Sequence, residues 1–267
     1  MNRRKKVNRK SGRTGFTLVE MAVAMTILAI AAAGGLAAIN RSKESDNIRI
    51  TRERMDTILK MLDRYYLKYG HLPCPANPTV VPTDPTFGRW YGTGVGVCDN
   101  LLLHSANTYM GAVPTGPLGL EPDYLLDGWK RMIGYAVDQS MTNTGGTAHI
   151  AIQNGAGASV ILKPDATPDL AAVAIVSYGK NGWGAYRFKG ARILTDPVSG
   201  RSAAQRTMEN YNAAVDGGTT FVSGDIFRQL DLREAAGGNP AGTTTDQVFD
   251  DILAWRTRDQ LVNATHH

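Results

Sequence analysis

One stretch of the sequence limits the fold more than any other. Residues 16–39 read FTLVEMAVAMTILAIAAAGGLAAI, and their only charged side chain is that of Glu20. As an α-helix rising about 1.5 Å per residue the stretch is roughly 36 Å long, enough to cross a bilayer core of about 30 Å. Seven basic side chains and no acidic one precede it within residues 1–15. The positive-inside rule therefore predicts one transmembrane helix with a cytoplasmic N-terminus, and places everything after Asn40 on the far side.

The net charge of the chain is a property of this N-terminal segment. The full sequence has 29 basic and 24 acidic residues, which gives a formal charge of +5. Without residues 1–15, the remainder has 22 basic and 24 acidic residues and is formally near −2. The overall basic character is therefore no evidence that the rest of the chain binds nucleic acid.

An ordinary secretory signal is the simpler alternative, because it too places an apolar segment after a basic one. Its apolar part is usually about 7 to 15 residues long, whereas residues 16–39 form a longer run that continues as a helical pattern. Glu20 is the stronger objection, because a carboxylate in hydrocarbon costs several kcal/mol unless it has a partner. Glu20 is therefore a candidate functional residue, with a side chain reaching back to the membrane face as the alternative.

Gly15 and the residues FTLVEM at 16–21, between a basic leader and a long apolar run, resemble the processing site of type IV prepilins and type II secretion pseudopilins. The resemblance implies that a prepilin peptidase cleaves between Gly15 and Phe16 and methylates the new amine of Phe16. It also implies that Glu20, the fifth residue of the mature chain, pairs in a fibre with the terminal ammonium of a neighbouring subunit. Such a pair would offset the desolvation of the carboxylate and set the register of the helices.

Beyond Asn40 the sequence becomes charged but keeps a helical period. Its apolar residues are three or four positions apart: Met55, Ile58, Leu59, Leu62, Tyr65, Tyr66 and Tyr69. Gly70 followed by Pro73 is typical of a helix end. The sequence thus predicts one helix over 16–70, of which 16–39 is transmembrane.

Strand-like runs follow the predicted helix, at 132–138, 148–153, 159–163 and 170–177, with further ones at 185–194 and 219–232. Asn154-Gly155 predicts a hairpin. Residues 98–124 are rich in proline and glycine and are expected to form a loop, and 248–255 fits either a helix or a strand. A helix followed by antiparallel strands predicts an α+β, pilin-like fold, in which the antiparallel sheet of a head domain at 71–267 packs on the second half of the helix.

Cys74 and Cys98 are the only cysteines, and both follow the predicted membrane span. In an oxidising periplasm they are candidates for a disulfide that closes a loop rich in proline and glycine, a bridge worth about 3 kcal/mol. A metal site is the alternative. Two cysteines without a CxxC pair or a paired histidine motif favour the disulfide, and no metal site is predicted.

A weaker resemblance lies in the predicted head. The residues DGW at 127–129 and SYGKNG at 177–182 resemble the strand entry and the glycine-containing loop of pseudopilin heads, although Lys130 replaces the usual glycine. In major pseudopilins the following loop binds calcium through acidic oxygens, but here Lys180 and Asn181 occupy that neighbourhood and no carboxylate cluster follows. Since calcium takes about six to eight oxygen ligands, several of them carboxylates, the sequence does not support calcium binding.

The sequence contains no recognisable enzyme motif. It lacks HExxH and GxSxG, and Gly179-Lys180 is followed by asparagine where a phosphate-binding loop needs serine or threonine. His71, His104 and His149 are scattered and are expected on the surface or in loops. We therefore expect no enzymatic activity and no cofactor.

The resemblance predicts a minor structural subunit of a type II secretion pseudopilus or a type IV pilus-like fibre. Such a subunit is anchored in the bacterial inner membrane with a periplasmic head, and its partners are the prepilin peptidase and other pilin or pseudopilin subunits. The alternative is a pilin-like adhesin or DNA-binding subunit, for which one aromatic and basic stretch qualifies: Trp183, Tyr186, Arg187, Lys189 and Arg192. The same stretch fits a strand with a charged outer face, so nucleic acid is not the expected partner.

Overall fold

The structure is a computed structural model, and it describes only part of the chain. The described residues are 17–94, 96–99, 105, 107–154, 157–193, 226–228 and 251–264, without the side chains of 31–41, 93 and 228. The chain divides into two compact units, Met1–Ser45 and Asp46–His267.

One long helix, α1 (Leu18–Tyr69), begins in the first unit and ends in the second. It ends at Gly70, which has a φ of +73° and whose N–H donates to the Tyr66 carbonyl at 2.7 Å. Glycine adopts this left-handed conformation without steric cost, which makes it a common helix terminator. The predicted helix is therefore confirmed from Leu18 onward, and Phe16 lies outside the described residues.

In the first unit, every described side chain of residues 17–30 is exposed, including Leu18 at 91% and Ile30 at 75%. The predicted membrane span at 16–39 also includes residues whose side chains lie outside the described part. Among the described residues, no helix has both the length and the apolar character needed to cross a membrane.

The second unit contains eight described strands and two further short helices. The strands are β1 (Gly92–Gly94), β2 (Val97–Cys98), β3 (Thr108–Ala112), β4 (Gly134–Asp138), β5 (Ala151–Gln153), β6 (Ala171–Ser177), β7 (Ile226–Arg228) and β8 (Ile252–Thr257), and the helices are α2 (Thr115–Leu118) and α3 (Arg258–Val262). Four strands form an antiparallel sheet in the order β3-β4-β6-β8. A helix followed by an antiparallel sheet confirms the α+β class.

The four-stranded sheet separates two hydrophobic clusters. On one face, Tyr135 of β4 and Ile175 of β6 pack in one cluster with α1 residues such as Met55, Ile58 and Leu62. On the other face, the small side chains of β4 and β6 join a second cluster, whose members include Ala136, Ala174, Ile150, Ile152, Trp183 and Phe227. All seven residues of β6 are buried. Because both of its faces are covered, this strand reads as the unbroken apolar run AAVAIVS instead of alternating.

Several sequence-based strand assignments differ from the structure. The segment predicted as a loop at 98–124 contains β3, the edge strand of the main sheet. The runs at 159–163 and 185–194 are not strands in their described residues, where they make only isolated bridges. Within the second run, the N–H of Gly190 donates to the Arg187 carbonyl at 2.8 Å, so the chain reverses there instead of extending. The ambiguous segment at 248–255 contributes to β8, and β5 pairs with β7 in parallel.

The predicted disulfide is present between Cys74 and Cys98, with both residues buried and their Cα atoms 5.5 Å apart. It holds the segment that follows α1 against the β1–β2 hairpin. The hydroxyl of Tyr135 donates to the Pro73 carbonyl at 2.9 Å, and Ala76 exchanges two backbone hydrogen bonds of 2.9 Å with Ala112. This extended segment thus ties the end of α1 to the sheet.

Replacing both cysteines with alanine is expected to lower the free energy of unfolding by about 3 kcal/mol, because the unfolded chain regains the freedom of a 24-residue loop. Denaturant titration of the full chain in detergent, followed by tryptophan fluorescence, measures this change. Reducing agent should lower the stability of the wild type and leave the double variant unaffected. A loss below about 1 kcal/mol would show that the bridge contributes little.

Candidate functional site

In the first unit, the side chain of Glu20 caps its own helix. Its Oε2 atom accepts hydrogen bonds from the N–H of Thr17 at 2.9 Å and from the Thr17 hydroxyl at 3.0 Å. The N–H of Glu20 donates back to the Thr17 hydroxyl at 3.2 Å. This reciprocal arrangement is a capping box, which satisfies donors that the first turn would leave unpaired. The carboxylate is therefore held at the start of α1, and Gly15 and Phe16 lie outside the described residues.

Glu20 is also the only charged residue among 17–30. Its neighbours Leu18, Val19 and Met21 are large, apolar and exposed. If another apolar surface covered this region, the carboxylate would lose water and would need a cation in return. The arrangement thus suits a contact in which one positive group accompanies a hydrophobic partner.

In the second unit, the DGW motif and the SYGKNG loop meet at a buried carboxylate. Asp127 is fully buried, and its Oδ1 atom accepts from the N–H groups of Trp129 and Arg131, both at 2.9 Å. Its Oδ2 atom accepts from the hydroxyl of Ser177 at 2.8 Å. Burial raises the pKa of the Asp127 carboxyl, although these hydrogen bonds oppose the shift. Asp127 thus joins the DGW motif at 127–129 to the SYGKNG loop at 177–182, and we call this connection the junction.

Arg131 and Lys130 complete this junction. The Arg131 guanidinium donates to the backbone carbonyls of Gly179 and Lys180, the latter at 2.6 Å. Gly182 has a φ of +68°, and a Cβ atom there would clash with the Arg131 guanidinium, so a larger residue at this position would be strained. Lys130 has a φ of +65°, the left-handed conformation that the glycine expected at this position adopts without strain.

The turn at 126–129 holds α1 through polar contacts, and we call this set of contacts the helix clasp. Arg54 donates to the Leu126 carbonyl at 2.6 Å, and the Thr51 hydroxyl accepts from the N–H of Gly128 at 2.9 Å. In the amide orientation that satisfies both partners, Asn47 donates to the Gly128 carbonyl at 3.0 Å and accepts from the Trp129 indole at 3.3 Å. These helix residues were not predictable from the sequence, because polar side chains on a helix usually indicate a solvated face.

The described histidines do not form a catalytic arrangement. His71 follows α1 in a loop but is buried, with its ring edge-on to that of Tyr65 at 5.7 Å. The Nδ1 atom of His149 lies 2.8 Å from Oδ2 of the buried Asp138, whose Oδ1 accepts from the Ser140 hydroxyl at 2.7 Å. Because the imidazole and the hydroxyl bind different oxygens of one carboxylate, the imidazole is not placed to activate the hydroxyl. His104 lies outside the described residues.

No group of three or more potential metal-binding side chains occurs within the described residues. The Asp127 carboxylate accepts from Ser177, at the start of the glycine-containing loop, and from two backbone N–H groups of the DGW segment. These hydrogen bonds join the two loops.

The aromatic and basic stretch of the alternative hypothesis is only partly on the surface. Trp183 is 2% exposed and belongs to the second hydrophobic cluster. The ring of Tyr186 is half-buried and lies beneath the Arg192 guanidinium, 5.4 Å from its centroid. Arg187 and Lys189 are exposed. The stretch thus presents charge without the exposed aromatic faces that stack on nucleic-acid bases.

Lys130→Gly is expected to stabilise the protein by about 1 kcal/mol, because glycine removes the cost of a left-handed conformation. Denaturant unfolding of the full chain in detergent is the measurement. Ala166 has a φ of +63° in an exposed turn, so Ala166→Gly is a matched control that should give a similar gain. A β-branched residue such as valine at position 130 should destabilise the protein. Equal stability of the glycine and valine variants would show that the left-handed conformation at this position is not strained.

Comparison with known protein families identifies the N-terminal segment. Residues 10–36 match the family model of the prokaryotic N-terminal methylation motif. This match confirms the resemblance to type IV pilins and pseudopilins, and the motif implies processing by a prepilin peptidase and assembly with other subunits. No curated protein and no solved structure gives a significant match to the chain.

Proposed function

We propose that the chain is a minor structural subunit of a type II secretion pseudopilus or a type IV pilus-like fibre. The observation that carries this proposal is the methylation motif at 10–36, with Glu20 held at the start of α1 as the only charge among exposed apolar side chains. In a fibre, these side chains would pack against neighbouring helices, and the carboxylate would pair with the methylated ammonium of an adjacent Phe16.

The proposed organisation has three parts. Residues 1–15 are a leader that is removed, 16–70 are the assembly helix with its first part, 16–39, in the inner membrane, and 71–267 are the periplasmic head. Capping by Thr17 supports the proposal, because it orients the carboxylate at the helix end where the new terminus would lie.

The size of the head favours a minor subunit over the repeating one. Removing residues 1–15 would leave 252 of 267 residues, most of them in the head. Glu20 is present, which argues against a tip subunit that lacks this charge. The basic stretch exposes Arg187 and Lys189 but buries Trp183, which weakens the adhesin or DNA-binding alternative.

Mass spectrometry of the protein from cells with an active prepilin peptidase tests the proposal. The expected mature chain begins with N-methylated Phe16, and the same gene in cells without the peptidase should yield the intact leader. An unprocessed N-terminus in the presence of the peptidase would refute the proposal. Cleavage at a different position would refute the assignment of Gly15 and Phe16.

A further inference from the structure

A groove of about 820 Å³ runs between α1 and the C-terminal helix α3. One wall is formed by α1 and the other by β8, α3 and the residues that follow it. The lining residues are Lys60, Asp63, Arg64, Leu67, Arg256, Asp259, Gln260, Asn263 and Ala264.

The groove has fixed walls. The Nε atom of Arg256 lies 3.1 and 3.2 Å from the two carboxylate oxygens of Asp63, which links β8 to α1. α3 is closed at its N-terminus by a capping box between Thr257 and Gln260, and its Leu261 is fully buried. A partner would therefore meet a preformed surface, and little ordering would oppose binding.

Two opposite charges in the groove have no ion-pair partner among the described residues. Within the described part of the chain, the one hydrogen bond of the Arg64 guanidinium is to the sulfur of Met61, at 3.7 Å. The side chain of Asp259, in the first turn of α3, makes no hydrogen bond with the described residues. Beside them, Leu67 is 43% exposed. The groove thus offers one cation, one anion and an apolar side chain to a partner.

The same chain carries a complementary surface at the helix clasp. Glu121, Asp123 and Lys130 flank the clasp and are exposed, and none of them forms an ion pair within the described part of the chain. Leu126, between them, is held by Arg54 of α1. Arg54 and Arg64 are ten residues apart, so this surface and the groove attach to α1 about 15 Å apart along its axis.

We propose that the groove binds the exposed surface formed by Glu121, Asp123 and Lys130 of a second copy of the chain. Arg64 pairs with Glu121 and Asp123 of that copy, and Asp259 pairs with its Lys130. Because the two surfaces are different, the contact is heterologous, and each copy of a pair leaves either its groove or its charged surface available for a further copy. This inference rests on the proposed function and adds a contact between the heads of two subunits. A minor subunit makes this contact only where two copies are neighbours in the fibre.

Crosslinking of the full chain in membranes tests the proposal. A photo-crosslinking amino acid replaces Leu67, which lines the groove without carrying its charge. The expected product is a covalent dimer whose crosslinked peptide lies within 121–130. Arg64→Glu should reduce the dimer yield about fivefold, because one attraction becomes a repulsion between exposed groups. Arg52→Glu is the matched control, since Arg52 is exposed on the same helix outside the groove.

A charge swap distinguishes a specific contact from a loss of folding. Combining Arg64→Glu with Glu121→Arg and Asp123→Arg should restore the dimer yield and its crosslink position. An unchanged yield in Arg64→Glu, a crosslink outside 121–130, or a crosslink only to another subunit would overturn the proposal. Phe16 methylation, measured in the same samples, separates the groove contact from the proposed function. If Phe16 is methylated but no dimer forms, only the groove contact is refuted.

Discussion

Replacing Glu20 with alanine is expected to leave the chain processed and in the membrane but to abolish its incorporation into fibres. In a fibre, the substitution would leave each neighbouring Phe16 ammonium buried without a partner, and removing one member of a buried ion pair is strongly destabilising. Quantifying the subunit in sheared fibres and in membranes, by immunoblotting, measures the effect.

Glu20→Gln is the informative control for this prediction. Glutamine accepts hydrogen bonds in a capping box much as glutamate does, so the start of α1 should be kept. It carries no charge, so assembly should fail as it does for alanine. Normal incorporation of the glutamine variant would show that Glu20 acts through helix capping instead of through an ion pair.

Asp127→Ala is expected to cost about 3 kcal/mol in the free energy of unfolding. The substitution removes the acceptor of three hydrogen bonds, two from the partly buried N–H groups of Trp129 and Arg131 and one from the buried hydroxyl of Ser177. Because Asp127 lies within the turn at 126–129 that forms the helix clasp, amide hydrogen exchange should rise at 126–131 and in α1 near Asn47 and Thr51.

Asp123→Ala controls for the loss of a carboxylate in the same region. Asp123 is exposed and carries no hydrogen bond on its side chain among the described contacts, so its replacement should change stability by less than about 0.5 kcal/mol. If Asp127→Ala proves equally mild, water must replace the carboxylate, and the junction is then less important to the head than its geometry indicates.

Local pattern was sufficient to predict α1. Met55, Ile58 and Leu62 recur at helical spacing, and each is buried against the sheet. Gly70 ends α1 because glycine readily adopts the left-handed conformation, a local preference that does not depend on distant contacts. β6 was also predictable from local pattern. Its unbroken run of small and branched apolar residues is typical of a central strand that is covered on both faces.

Elements that depend on distant partners were not predictable in this way. β3 has the sequence TYMGA, whose glycine and short length argue against a strand, and its conformation is set by pairing with β4. Asp127 was identified as part of a motif, but the role of Thr51 was not, since its hydroxyl meets Gly128 across 77 residues. The disulfide was one of two alternatives until the positions of Cys74 and Cys98 were known.

Because the central sheet is covered on both faces, it acts as a partition between α1 and the layer behind it. That layer ends in an exposed turn at 163–167, where Asp165 accepts from the backbone and the hydroxyl of Thr167. Residues of this turn lie in neither hydrophobic cluster. A small epitope or fluorophore inserted there would report on the position of the head in living cells without altering the side that faces α1.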